Sequence, residues 1–342
     1  MLADLLAGRD LTADAAGWAM GEVVRGAAAP AQLAAFLVAL RAKGETAVEV
    51  DGLVVALLAA AAPVDIPGPT VDIAGTGGDG TNAVNLSTMA AIVVAATGAT
   101  VVKHGGRAAS ATTAGAADLV ERLGVPLDMP PTAHAEIAAA AGITFLFAAA
   151  AHPGLRHAAP VRRELGVPTV FNVLGPLINP ARPTHRLVGV ADPRLLPVVA
   201  EVLRQRGTSA LVVRGDDGLD KLTTATTSQV WSVRDGRAAL VCVDPRDLGI
   251  PRPAEGALRG GDAAANARVV HALLAGERGP VRDAVLLNAA AAVVAATPAT
   301  SAPIEELDKA LVRCADAVDS GAAARTLTAW REAACRFAVA SG

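Results

Sequence analysis

Residues 71–80 read Val-Asp-Ile-Ala-Gly-Thr-Gly-Gly-Asp-Gly, an apolar run that passes directly into a glycine-rich loop. The apolar run predicts a short strand over 70–74. Four glycines within six positions let the backbone approach a ligand closely, and their N–H groups can surround an anionic oxygen. The spacing differs from that of a Walker A loop and from G-x-G-x-x-G. Taken alone, the loop fits an anion site and a flexible surface turn about equally well.

Two neighbouring segments favour the anion site. Asn-Leu-Ser-Thr at 85–88 opens an apolar helix predicted over 87–97. The N-terminus of a helix attracts phosphate groups, although Ser and Thr there also serve as simple caps. Lys-His-Gly-Gly-Arg at 103–107 ends the strand predicted over 99–104. Because loops that follow parallel strands meet at one edge of the sheet, the three segments together predict a site for a phosphate-rich small ligand.

The remaining sequence predicts an α/β protein with a helical N-terminal part. Residues 1–66 read as short amphipathic helices, and a proline-rich joint follows at 61–69. From residue 70 onward strands and helices alternate, and the chain ends in alanine-rich helices from about residue 261. This pattern predicts a small helical domain over 1–66 and a large α/β domain over 70–342 with a mainly parallel central sheet. The four prolines within 168–183 predict a crossover segment between the two.

Composition excludes several classes of function. The chain has 342 residues, 52% hydrophobic and 18% charged, with a net charge of −3, so it is neither disordered nor basic enough to indicate a nucleic-acid partner. Aromatic residues make up only 2%, too few for a base-stacking surface. The longest apolar runs are shorter than the ~18–20 residues that span a bilayer. Three scattered cysteines fit a reducing compartment, so we expect a cytoplasmic protein without membrane contact.

Six motifs, in order along nearly the whole chain, resemble those of the anthranilate phosphoribosyltransferases of tryptophan biosynthesis. They are GTGGD at 75–79, NLST at 85–88, KHGGRAAS at 103–110, VRRELG at 161–166, FNVLGPLINP at 171–180 and GDDGLD at 215–220. The resemblance implies a fold of the nucleoside phosphorylase/phosphoribosyltransferase type, whose helical domain is completed by the crossover at about 160–185. It also implies a homodimer formed through the helical domain, and phosphoribosyl diphosphate and anthranilate as substrates, with Mg²⁺.

The same resemblance assigns site residues. Those implied to bind phosphoribosyl diphosphate are Gly75, Gly78, Asp79, Asn85, Ser87, Thr88, Lys103, Gly105, Arg107, Ala108, Ala109 and Ser110. Those implied to contact the aromatic acceptor are Gly75, His104, Gly106 and Arg162, with Arg162 on the acceptor carboxylate. Those implied to hold magnesium are Ser87 and Asp220. An ordinary role as a solvated helix charge paired with Glu164 is the alternative for Arg162, and a hydrogen bond within its own loop is the alternative for His104.

Three departures from the family pattern concern the metal and the acceptor. Lys221 stands where the family has a glutamate, and an ammonium group cannot ligate a metal. Gly106 replaces an asparagine that contacts the aromatic acid, and Ala83 replaces a hydroxyl residue near the diphosphate. The donor-binding residues are mostly retained. This asymmetry suggests a divergent paralogue.

The implied chemistry is substitution at the anomeric carbon of ribose, with diphosphate as the leaving group. Catalysis therefore requires that the enzyme stabilise the negative charge that develops on this leaving group. An aromatic amine is neutral and nucleophilic at pH 7, so no general base is required and we assign no catalytic acid or base. Transfer to another aromatic acid in secondary metabolism, and binding of phosphoribosyl diphosphate without catalysis, stay open as alternatives. A nucleoside phosphorylase fits less well, because the glycine motif and Arg162 argue against it.

Overall fold

The computed structural model describes residues 1–108, 114–298 and 303–338. The N-terminal part is a helical bundle, as the sequence predicts. Thr12 caps the second helix by accepting a hydrogen bond from Ala15 N at 3.2 Å, and Thr46 forms a reciprocal capping box with Glu49 at the fourth. The helices of the bundle are α1 (Leu2–Leu6), α2 (Ala13–Val24), α3 (Pro30–Lys43) and α4 (Ala47–Ala59).

The rest of the described chain surrounds one seven-stranded sheet in the order β3-β2-β1-β4-β5-β6-β7. Strands β1 to β5 are parallel, while β6 and β7 are antiparallel additions at one edge, which confirms a mainly parallel sheet. The chain runs outward from β1 in both directions, so the strand order reverses between β1 and β4. The strands are β1 (Thr70–Gly75), β2 (Thr100–Gly105), β3 (Ile143–Phe147), β4 (His185–Gly189), β5 (Ser209–Gly215), β6 (Ser228–Arg234) and β7 (Arg237–Val243).

The helices that follow the bundle cover both faces of the sheet. α5 and α13 are mostly apolar and mostly buried, as that composition predicts. No helix in the described part of the chain is long and apolar enough to cross a membrane. The helices are α5 (Leu86–Ala96), α6 (Ala116–Arg122), α7 (Ala133–Ala141), α8 (Ala148–Ala151), α9 (Ala159–Leu165), α10 (Val170–Leu174), α11 (Leu196–Gln205), α12 (Ala263–Leu274), α13 (Pro280–Ala295), α14 (Pro303–Asp319) and α15 (Ala322–Cys335).

Two hydrophobic cores lie on opposite faces of the sheet. Alternation along β4 and β5 directs Leu187 and Leu211 into the first core, with α5 and α13, and Val188 and Val212 into the second. The second core also contains the apolar side chains of the helical bundle. The sheet and the bundle therefore share one packed interior, which holds the bundle against the face of β4 and β5.

The segment predicted as a crossover packs into this second core. Val161 on α9 and Phe171 on α10 are buried together with Leu37 of α3. An ion pair between Arg41 of α3 and Asp192, which follows β4, also joins the bundle to the sheet. The crossover thus lies between the bundle and the carboxyl edge of the parallel strands.

Candidate active site

The glycine loop lies where the strand order of the sheet reverses. Gly75 at the end of β1 pairs with Gly189 at the end of β4. Thr76 N donates to Gly189 O at 2.9 Å, and the Thr76 hydroxyl accepts from Ala191 N at 3.0 Å. Open parallel sheets bind ligands in the crevice at such a reversal. The loop therefore occupies the ligand-binding edge that the sequence predicts.

Asp220 ties the glycine loop to the turn that follows β5. Its buried carboxylate accepts a hydrogen bond from Gly77 N at 2.7 Å, and its own N–H donates to Asp79 at 3.3 Å. Gly77 and Gly78 have φ of 64° and 75°, a region that disfavours side chains. These bonds hold the loop in one shape, in which Gly77, Gly78 and Gly80 are exposed.

Asp220 can pack this closely because residues 75 and 189 are glycines. A Cβ on Gly75 would lie 2.3 Å from Asp220 Oδ2, and one on Gly189 would lie 1.5 Å from the Asp220 carbonyl oxygen. Gly75 is among the residues predicted from the sequence, whereas Gly189 is not. The only signal in the sequence is a glycine within the apolar run 187–190, and a glycine inside a strand often marks a close backbone approach.

Lys103 places a buried ammonium group beneath the loop. Its Nζ donates to Ile73 O at 2.7 Å and to the Ser87 hydroxyl at 3.3 Å, and the side chain is only 1% exposed. Burial lowers the pKa of Lys103 to about 8, against the opposing attraction of Asp72. The structure thus brings together the strand end, the start of α5 and the basic loop, as the three sequence segments predict.

The NLST motif at 85–88 does not act as a simple helix cap. The helix begins at Leu86, so Ser87 and Thr88 lie in its first turn and do not cap it. Asn85 instead donates to Ala114 O and accepts from Asn266, both at 2.7 Å. Thr88 is fully buried, and its hydroxyl has no partner among the described residues. Asn266 lies 181 positions from Asn85, and no signal in the sequence connects them.

Arg107 lies against α6. Its guanidinium pairs with Asp118 at 2.9 Å and with Glu121 at 2.8 Å, and the Asp118 carboxylate also accepts from Ala108 N. These carboxylates raise the pKa of Arg107 above its usual range. The structure therefore engages Arg107 and Ala108, two predicted donor contacts, in contacts within the protein. Two further predicted contacts, Ala109 and Ser110, lie outside the described residues.

His104 belongs to a buried polar cluster behind the basic loop. Its backbone N donates to Asp72 at 3.2 Å, and Asp72 also accepts from Asn179 at 2.9 Å. Its ring Nδ1 lies 3.3 Å from Gly175 O, and burial, helped by His152, lowers the pKa of His104 to about 3. The imidazole is therefore neutral near pH 7. If Nδ1 carries the proton, Nε2 is an acceptor with no partner in the described structure.

Arg162 belongs to the crossover, on α9, whereas Gly105 and Gly106 belong to the basic loop. Arg162 stacks over the Phe171 ring at 4.9 Å and has no carboxylate partner in the described structure, so it is not paired with Glu164. A Cβ on Gly105 would lie 3.0 Å from Ala116 Cβ, whereas one on Gly106 would meet nothing closer than 4.0 Å. A Cβ at position 105 would thus crowd its neighbour, whereas one at position 106 would make only an ordinary contact.

A cavity of about 360 Å³ adjoins the glycine loop on the side of the bundle. Its lining includes the loop residues 76–79, Asn172 of α10, and Arg214 at the end of β5. The Arg41–Asp192 ion pair also borders it. The cavity lies between the sheet edge, the crossover and the bundle, and it is large enough for part of a polar small molecule.

Comparison with known proteins agrees with this geometry. The glycosyl transferase family a/b domain matches residues 67–324, and the helical bundle domain of the same family matches residues 1–61. The anthranilate phosphoribosyltransferase of Nocardioides sp. is 56% identical over 336 residues, which are 98% of each chain. That of Acidothermus cellulolyticus is 57% identical over 334 residues, covering 97% of this chain and 94% of that one.

Solved structures give the same result. Anthranilate phosphoribosyltransferase from Thermus thermophilus superimposes with a TM-score of 0.90 at 39% identity, covering 98% of this chain and 99% of that one. The enzyme from Saccharomyces cerevisiae, in complex with PRPP and Mg, superimposes with a TM-score of 0.86 at 27% identity. The match covers 98% of this chain and 97% of that one. The fold, the order of the motifs and these relatives agree, and the chain belongs to the anthranilate phosphoribosyltransferase family of glycosyl transferases.

Proposed function

We propose that the protein transfers the phosphoribosyl group of phosphoribosyl diphosphate to the amine of anthranilate and releases diphosphate, a step of tryptophan biosynthesis. The observation that carries this proposal is the buried Lys103 ammonium, hydrogen-bonded to Ser87 beneath the glycine loop. A positive charge, a helix N-terminus and exposed loop N–H groups at one edge form an anion site. The relatives named above act on these substrates according to their names.

In the proposed reaction the amine nitrogen forms a bond to the anomeric carbon while the carbon–oxygen bond to diphosphate breaks. The electron pair of that bond leaves with the diphosphate, and the new ammonium loses its proton to solvent. Lys103 and the N–H groups of the glycine loop stabilise the negative charge on the departing oxygens. The neutral His104 ring fits a positioning role behind the basic loop, because its Nδ1 lies 3.3 Å from Gly175 O of the crossover.

Magnesium fits the site through one side-chain oxygen of this chain. The hydroxyl of Ser87 is half-buried at the start of α5 and can ligate Mg²⁺ held mainly by the oxygens of the donor. When bound, the ion supplies positive charge to the leaving group. Asp220 is less available, because its carboxylate pairs with Lys221 and accepts from Gly77 N. No group of three potential ligands among His, Cys, Asp and Glu occurs in the described chain.

A panel of acceptors tests the proposed function. The protein is incubated with phosphoribosyl diphosphate, Mg²⁺ and a series of aromatic acids, and diphosphate release and product mass are measured. Turnover of anthranilate with the highest kcat/KM supports the proposal. Preference for a different acid supports a role in secondary metabolism, a possibility raised by glycine at position 106, where the family has an asparagine. Donor binding without any turnover contradicts both.

Replacing Arg162 with lysine should impair binding of the acceptor alone. Arginine matches a carboxylate with two parallel hydrogen bonds, which an ammonium group cannot reproduce. Loss of such a charged contact should raise the acceptor KM about 10- to 100-fold and leave the donor KM nearly unchanged. Steady-state kinetics with each substrate varied checks this result. Arg163→Lys, a neighbouring exposed residue, is the control, and equal changes in both KM values would rule out the assignment.

We also propose that the chain is a homodimer joined through a helical domain of residues 1–66 and 160–185. Among the exposed large apolar side chains of the described residues, the bundle contributes Leu6, Trp18, Val38, Val48 and Val55. An adjacent groove of about 410 Å³ is lined by Trp18 and Phe36. Exposed large apolar side chains beside such a groove are typical of protein interfaces. The free cysteines of the described structure support a reducing location such as the cytoplasm.

The substitution Trp18→Glu should convert this dimer to monomer. Trp18 is 60% exposed in the isolated chain, and burying a new charge at an apolar interface is strongly unfavourable. Sedimentation velocity at micromolar concentration measures the state. Val312→Glu is the matched control, because Val312 is also 60% exposed but lies on α14. If both variants sediment as the wild type does, the bundle face is not the interface.

A further inference from the structure

Lys221 holds an ammonium group among the carboxylates that shape the glycine loop. Its Nζ forms an ion pair with Asp220, whose side chain is only 2% exposed, while the lysine side chain is 18% exposed. Asp79 lies close enough for its charge to interact with that of Lys221. The ammonium therefore lies beside the buried Asp220 carboxylate, with part of the lysine side chain exposed.

The acidic pair by itself works against the proposed ligand. Asp79 and Asp220 contribute two negative charges at a loop that would bind a diphosphate, and like charges at short range repel strongly in a partly buried site. A positive group must offset them. Divalent cations and ammonium groups both bind carboxylate oxygens, so they compete for the same place, and the Asp220 oxygen that pairs with Lys221 is not free to ligate.

We propose that the Lys221 ammonium permanently occupies the position that a divalent cation would otherwise take between Asp220 and the bound diphosphate. This inference rests on the proposed donor, phosphoribosyl diphosphate. Its consequence is that the donor is bound with one magnesium ion, at Ser87, and that the glycine loop keeps its shape in the metal-free protein. Lysine offers only donors, so it contributes a fixed charge and no ligand.

Binding of Mn²⁺, followed by electron paramagnetic resonance of the free ion, tests this proposal without any turnover. The variants are Lys221→Glu, which adds a carboxylate, and Lys221→Gln, which replaces the ammonium with a shorter, neutral amide. Lys309→Glu is the control, because it makes the same change in charge at an exposed residue of α14. Each protein is titrated alone and again with saturating phosphoribosyl diphosphate, and circular dichroism verifies its fold.

Wild type should bind no Mn²⁺ alone and one ion with the donor. Lys221→Glu should gain a site in the absence of donor, at least about tenfold tighter than any site of wild type or Lys309→Glu, because three carboxylates then face each other. With donor it should bind two ions. If Lys221→Glu does not fold, Lys221→Gln should still gain one weaker site, because the Asp220 oxygen is freed.

Two results overturn the proposal. One is a second Mn²⁺ ion bound by wild type with the donor, and the other is equal Mn²⁺ binding by wild type and the folded variants. Failure of the proposed function gives a different result, since calorimetry would then detect no binding of phosphoribosyl diphosphate to wild type. In that case the titrations without donor still decide whether Lys221 occupies a cation position.

Discussion

Gly189→Ala is expected to abolish activity and to destabilise the fold by about 3 kcal/mol or more, the upper part of the range for overpacking. The added Cβ would lie 1.5 Å from the carbonyl oxygen of Asp220, a distance that no side-chain rotation can relieve because both atoms belong to or adjoin the backbone. Either β4 or the turn at Asp220 must move. Movement of the turn breaks the bond from Gly77 N to Asp220 and releases the glycine loop.

Urea unfolding and kcat/KM for the donor together measure this effect. We expect kcat/KM to fall at least about a hundredfold, the loss typical of removing an oriented donor to a developing negative charge. Gly175→Ala is the matched control, because a Cβ on Gly175 meets nothing within 4 Å. A Gly189→Ala protein with the stability and kinetics of Gly175→Ala would disprove the role given to the contact between Gly189 and Asp220.

Lys103→Met should reduce affinity for phosphoribosyl diphosphate by about a hundredfold to a thousandfold, as expected for removal of a buried charge that contacts an anion. Methionine has a similar length and apolar stem, so the packing around the side chain is largely kept. The Ile73 carbonyl and the Ser87 hydroxyl lose their donor. Isothermal calorimetry measures the affinity, and Lys309→Met, an exposed lysine, is the control. Unchanged affinity in the Lys103 variant would place the anion elsewhere.

The pH dependence of donor binding by the wild-type protein also follows from Lys103. Burial lowers the pKa of Lys103 to about 8 in the free protein, and a bound polyanion raises it, because the anion stabilises the charged form. Below pH 8 the ammonium is already present. Above pH 8 the free protein must take up a proton on binding, so donor affinity falls by up to about tenfold per pH unit until the pKa of the complex is reached. Lys103→Met should lack this decline.

The sequence by itself determined the elements that depend on local chemistry. The strand at 70–74 and the glycines that follow depend on neighbours a few positions away, and the structure has the strand as predicted. Parallel strands with loops at one edge then follow from the alternation of strands and helices. The donor motifs were therefore predicted as a group, and the structure brings Lys103 to Ser87 beneath the glycine loop.

Only the tertiary structure decided which groups touch across long sequence separations. The contact that needs Gly189, the bond from Asn266 to Asn85 and the pairing of Arg107 with α6 join side chains from separate elements. The neutral state of His104 is likewise a consequence of burial by the crossover and His152. Steric exclusion, desolvation and charge pairing act through distances of a few ångströms in space. Sequence patterns report neighbours along the chain, so these three effects become visible only when the sheet, the crossover and the terminal helices are packed together.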